Sequence, residues 1–147
     1  MPVIGYGVFK VAPQHVTECV GVTLAFGYRL IDTAASYGNE EEVGLAIAVS
    51  GISRSELFVT TKLWNSDHGY DPALKAFDQG LTKLGLEYVD LYLIHWPLPS
   101  LDRYVETWRA LESMFTTAAV GVAVLVVVAL VVFAHEIALP ALAFGLL

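Results

Sequence analysis

Four residues of this 147-residue chain carry side chains suited to delivering a proton to an oxygen atom: Asp32, Tyr37, Lys62 and His95. A free phenol titrates at about pH 10 and is a weak acid at neutrality. A neighbouring ammonium favours the phenolate left behind, and a carboxylate keeps that ammonium charged and in place. A neutral imidazole can donate a hydrogen bond to a carbonyl and orient it. Together these groups could protonate a developing alkoxide while hydride arrives from a cofactor. Each also has a plainer reading. Asp32 could cap a turn, Tyr37 could lie half-buried beside it, Lys62 could be a solvated charge, and His95 a packed ring ahead of Trp96-Pro97. Their relative placement decides between the two, and that depends on the elements that carry them.

Gly27 to Glu40 (GYRLIDTAASYGNE) reads as a short strand over Arg29, Leu30 and Ile31 running into Asp32, then a small-residue turn. A helix entry follows at Tyr37-Gly38-Asn39-Glu40, and the Glu40-Glu41-Glu42 run suits the positive end of a helix dipole. Val43, Ala46 and Ile47 form its apolar side, and Gly51 stops it. Upstream, Pro2 to Lys10 reads as an apolar strand whose glycines permit close backbone approach. Pro13 opens a helix with Val16, Val20 and Leu24 on its buried face, and Gly27 ends it.

Ser53-Arg54-Ser55-Glu56 fits a capping box, and Leu57 to Trp64 is the next strand, with Lys62 near its end. Asp71 as N-cap and Pro72 at the first helical position start a helix striped by Leu74, Phe77, Leu81 and Leu84 and closed by Gly85. Tyr88 to His95 is a nearly continuous apolar strand interrupted by Asp90, as suits a strand covered on both faces. Asp102 could cap a last helix through Val105, Trp108 and Leu111. The strand-then-helix order, repeated four times, predicts an α/β fold of parallel strands with right-handed crossovers. The carboxyl ends of the strands should then carry the site. Asp32, Lys62 and His95 each end a different strand, with Tyr37 in the loop after the first of them, so the four should converge.

Charge narrows the partners. The net charge of −7 comes without a basic cluster and argues against nucleic acid as a partner. The single cysteine, Cys19, has no internal partner for a disulfide, no Cys/His spacing suggests a metal, and a reducing, cytoplasmic compartment follows. No basic-then-apolar leader opens the sequence. All eight Lys and Arg residues lie at or before Arg109, and after Glu112 the only formal charge is Glu136.

GYRLIDTAASYGNE, FVTTKLW and LGLEYVDLYLIHWP, in this order, closely resemble successive motifs of the aldo-keto reductases. The resemblance covers residues 2–112. It implies a (β/α)8 TIM-type barrel that reduces an aldehyde or ketone with NADPH and without a metal. By this resemblance Tyr37 is the proton donor, Lys62 tunes it, Asp32 pairs with the lysine, and His95 orients the substrate. Gly7, Val8 and Phe9 match the first-strand turn near the nicotinamide ribose, where Asp32 also counts as cofactor-binding. Phe9, Trp64, His95 and Trp96 match the lining of the pocket for a small carbonyl substrate.

The resemblance stops near residue 112. The family's β-hairpin ahead of the first strand has no counterpart, and the Ile-Gly-Val-Ser-Asn type strand end, the nicotinamide-stacking aromatic and the basic loop for the 2′-phosphate do not appear after Glu112. A full barrel needs about 250 residues, so 1–112 is expected to form about four of eight β/α units. The open half-barrel could self-associate or pair with a partner chain. Residues 113–147 form an apolar tail. Within it, Thr116 to Ala134 is nineteen residues without a charge, about 28 Å as helix against a hydrocarbon core of about 30 Å. Three readings stay open for it: a transmembrane anchor with the catalytic half in the cytoplasm, a buried filler, or the product of a frameshift near Met114. Function divides likewise: an NADPH-dependent reductase by descent that is weak or inactive in this form, a non-catalytic membrane-tethered half-barrel, or a truncated gene product.

Overall fold

A computed structural model of the chain describes residues 1–116. Within them, four parallel strands lie in sequence order, and a helix follows each strand. The strands are β1 (Tyr6–Gly7), β2 (Leu30–Asp32), β3 (Phe58–Leu63) and β4 (Leu91–Ile94), and the helices α1 (Pro13–Ala25), α2 (Glu40–Val49), α3 (Tyr70–Leu84) and α4 (Tyr104–Thr116). In register, Tyr6 lies beside Ile31, Ile31 beside Val59, and Lys62 beside Leu93. This brings the ends of β1 and β2 level at Gly7 and Asp32, beside Thr60 of β3, which runs on to Leu63.

The core lies between sheet and helices. Ile31, Val59, Leu63 and Tyr92 from the strands meet Val16, Val20 and Leu24 of α1, Val43, Ala46 and Ile47 of α2, and Phe77 and Leu84 of α3. The spacing on α1 and α2 is the one the apolar periodicity requires. On α3 the buried face turns toward small residues: Ala73 and Gly80 are buried, whereas Leu74 and Leu81 are only partly so. The α4 stripe is Thr107, Ala110, Leu111 and Met114, while Val105 is exposed.

Several expected boundaries shift. β1 is only Tyr6–Gly7, and Val3 and Ile4 are exposed. α3 begins one residue before Asp71, with Gly69 at its N-cap at φ 120°. Asp71 therefore lies in the first turn and is not the cap. The Ser53 hydroxyl makes no cap bond and pairs instead with that of Ser55 at 2.9 Å, so the capping box does not form. β4 starts at Leu91, because Asp90 is drawn sideways: its Oδ2 accepts from Arg54 at 2.6 Å and from the Val59 amide at 2.8 Å. Asp102 adopts φ 48° and ends a short 3-10 turn, Pro99–Leu101, ahead of α4. No described helix is long and apolar enough to cross a membrane; the candidate span 116–134 and the rest of the tail lie outside the described residues apart from the last turn of α4.

Candidate active site

Lys62 is the hub of the strand-end cluster. Its Nζ donates to Asp32 Oδ1 at 2.6 Å, to the Thr33 carbonyl at 3.0 Å and to the Tyr37 hydroxyl at 3.4 Å. β3 supplies the lysine one residue before its end, so the side chain rises into the mouth while Thr61 and Leu63 on either side are buried. The lysine side chain retains 12% of its exposure and Asp32 34%. The ammonium is thus largely withdrawn from water, with its charge directed at the carboxylate and the phenol. Tyr37 closes the 3-10 turn Ala35–Tyr37, and Gly38 ends that turn at φ 65°, a left-handed conformation that glycine adopts without strain.

His95 follows β4 directly, and its amide donates to the Leu63 carbonyl at 3.2 Å. Its ring is set edge-on to Tyr37 at 5.7 Å and to Trp64 at 5.3 Å, and lies parallel to Trp96 at 6.3 Å. Burial among these rings, and then the Lys62 charge, lower its pKa from the usual histidine value, with Asp32 opposing. This favours the neutral imidazole at pH 7. Ser36 Oγ lies 3.3 Å from its Nδ1; with the serine hydroxyl donating, the ring hydrogen stays on Nε2. The cluster thus offers one phenol hydroxyl backed by an ammonium and one neutral imidazole N–H, both at the same mouth.

Phe9 lies beside Tyr37, ring centroids 5.0 Å apart, and is exposed. A side chain on Gly7 would approach Asp32 Oδ1 to 4.0 Å, into the space before the carboxylate. Around that space stand Gly7, which has no side chain, the exposed ring of Phe9 and the partly exposed Asp32 carboxylate, whereas Val8 is buried, its amide bonded to the Asp32 carbonyl and its own carbonyl accepting from Asn39. No group of metal-ligating side chains occurs among the described residues.

Asn39, which by sequence is only a helix entry, is buried. It sits at the N-cap of α2 without capping it. Its Oδ1 accepts from the Thr33 hydroxyl at 2.9 Å, and its Nδ2 donates to the Val8 carbonyl at 3.2 Å. It therefore ties the β1 turn to the residue whose carbonyl receives Lys62. The next residue, Glu40, is buried behind the sheet and accepts from Thr61 at 2.7 Å. An Asn-Glu pair at a helix start reads as capping, and nothing in local spacing reveals these partners.

The architecture is that of successive β/α units of a barrel, with the polar cluster at the carboxyl ends of the strands. The profile of the aldo/keto reductase family matches residues 3–123, and the chain belongs to that family. It is 53% identical over 116 residues to the glyoxal reductase of Bacillus subtilis, covering 78% of this chain and 41% of that protein. The crystal structure of an aldo/keto reductase from Brucella melitensis superimposes with a TM-score of 0.81 at 53% identity, over 85% of this chain and 49% of that one. A Bombyx mori aldo-keto reductase in complex with NADP superimposes with a TM-score of 0.77 at 37% identity, over 85% of this chain and 46% of that one. The chain spans about two fifths of the length of the curated relatives it matches.

Proposed function

We propose that the cluster reduces a small aldehyde or ketone to the alcohol, with NADPH as hydride source and Tyr37 as proton donor. The observation that carries this reading is the placement of Lys62 Nζ, 3.4 Å from the Tyr37 hydroxyl and 2.6 Å from Asp32 Oδ1. The bound cofactor would supply hydride to the carbonyl carbon. As negative charge develops on the carbonyl oxygen, the Tyr37 hydroxyl gives it a proton, and the Lys62 ammonium stabilises the phenolate that remains. Asp32 holds the ammonium in position and keeps it charged. The Nε2–H of His95 donates to the carbonyl oxygen and aligns it with Tyr37. Gly7, Val8, Phe9 and Asp32 receive the nicotinamide-ribose end, and Phe9, Trp64 and Trp96 line the carbonyl pocket. The NADP-bound relative supports the choice of cofactor.

This chain carries the proton-transfer residues, but the family's motifs for the 2′-phosphate are not in its sequence, so slow turnover is expected. The test follows NADPH oxidation at high protein concentration, with glyoxal first because the Bacillus relative is named for it. Tyr37→Phe should lower the rate by about 100- to 10,000-fold, the usual contribution of general acid catalysis. An unchanged rate in Tyr37→Phe would exclude the phenol as donor. The same proposal covers a cytoplasmic catalytic half with residues 116–134 as a membrane tether, and recovery of the full chain wholly outside the membrane fraction would remove the tether.

A further inference from the structure

His68 lies outside the reacting set and is buried, with 3% of its surface exposed. It stands between the loop after β3, which begins at Trp64, and the start of α3. Its Nε2 is 3.0 Å from the carbonyl oxygen of Trp96, on the loop after β4. A carbonyl only accepts, so Nε2 carries the hydrogen and donates. Its Nδ1 lies 3.2 Å from the hydroxyl of Thr107, in the second turn of α4. That hydroxyl also accepts from the Gly69 amide at 2.8 Å and lies 2.9 Å from the Arg103 carbonyl. Gly69 adopts φ 120°, and a side chain there would run into the Arg103 guanidinium. One imidazole and one hydroxyl thus join three segments: the loop bearing Trp64, the loop bearing His95 and Trp96, and the first turns of α4.

Position gives this junction a consequence for the site. Trp96 is half-exposed and parallel to the His95 ring, and Trp64 meets that ring edge-on. Past Ile94 the chain leaves the sheet, and the bond of the His95 amide to Leu63 is the last that binds it to β3. Beyond it, the described bond on Trp96 is the one from His68. We propose that His68 is a positioning residue: by holding the Trp96 carbonyl from the Trp64 loop, it keeps the His95 ring enclosed between Trp64 and Trp96 and aimed at the mouth. The proposal rests on the reductase reading for its purpose, but the contact and its effect on His95 do not depend on cofactor or carbonyl.

The test is an NMR titration of the His95 ring in the full chain without cofactor, its signal assigned by its loss in His95→Asn. The groups that face this ring are Lys62, Asp32, Tyr37 and Ser36, together with the two indoles. In His68→Leu, release of the Trp96 carbonyl lets the ring move toward water and away from Lys62, and both changes raise the midpoint toward about 6.5. His68→Gln places an amide N–H where Nε2 stood and should keep the depressed midpoint. His68→Asn reaches Thr107 but falls short of Trp96, and should behave as the leucine variant does. Should His68→Leu fail to fold, the Gln and Asn pair decides alone. A His95 midpoint that is the same in folded His68→Leu or His68→Asn as in the parent overturns the proposal, even when thermal stability falls, because a merely structural role lowers stability without moving His95. Failure of the reductase assay with the expected His95 shifts would remove the proposed reaction and leave the positioning contact standing.

Discussion

The three contacts of Lys62 explain how one side chain can serve both Asp32 and Tyr37. The carboxylate and the Thr33 carbonyl hold the ammonium at 2.6 and 3.0 Å, and the phenol hydroxyl lies within reach at 3.4 Å. His95 gives a pH signature. Its folded pKa is lowered, first by burial and then by Lys62. Below about pH 6.5, the ordinary histidine value, the unfolded chain therefore takes up a proton that the folded chain resists. The stability associated with His95 is complete above that value and is lost as pH falls through the folded one. Urea midpoints measured between about pH 8 and pH 5 should fall less in His95→Gln than in the parent. Equal falls would mean that folding does not lower the His95 pKa.

At the scale of elements, the close approach of α2 and α3 decides the sign of a substitution. Glycine inside a helix ordinarily costs about 1 kcal/mol relative to alanine. Gly44 is buried within α2, and a Cβ there would run into the backbone carbonyl of Leu84 at the end of α3. Backbone yields less than a side-chain tip, so overpacking outweighs propensity. Gly44→Ala should destabilise the fold by about 1–3 kcal/mol, read from urea unfolding. A gain in stability would show slack between the two helices. Elements are legible in the sequence where a local rule governs. Gly85 ends α3 at φ 63°, with its amide bonded back to Leu81 and Thr82, as a glycine stop should. At Asp90 the acid inside an apolar run reads as an interruption, and β4 does begin only after it, at Leu91, but the reason lies outside local spacing. In the fold Asp90 is the anchor for Arg54 and for the Val59 amide.

For the whole molecule, the distribution of charge bears on cofactor choice. The chain carries eight Lys and Arg residues, none after Arg109. Near the described mouth, Lys62 is committed to Asp32, and Lys10 lies over the Phe9 ring at 5.3 Å. Nothing in this arrangement gathers cations for a 2′-phosphate. The full chain should therefore distinguish NADPH from NADH by less than about tenfold in affinity, or about 1.4 kcal/mol. Fluorescence titration with each cofactor measures the ratio. A stronger preference for NADPH would place a phosphate grip among residues that carry no lysine or arginine, or in a second chain.

The sequence by itself determined the alternation of strand and helix, the buried faces of α1 and α2, the glycine stops and the absence of cations beyond Arg109. These follow from periodicity, backbone freedom and composition, all of which are local or additive. It also located Asp32, Lys62 and His95 near strand ends, because parallel β/α order puts such ends on one side. Only the tertiary structure decided that Lys62 reaches Asp32 and Tyr37 together, that the Asn39 amide ties Val8 to Thr33, and that His68 holds the loop after β4. Apart from Thr33 and Asn39, those partners lie far apart along the chain. Their hydrogen bonds depend on strand register and on where each loop leaves the sheet, and residue spacing within a single element encodes neither.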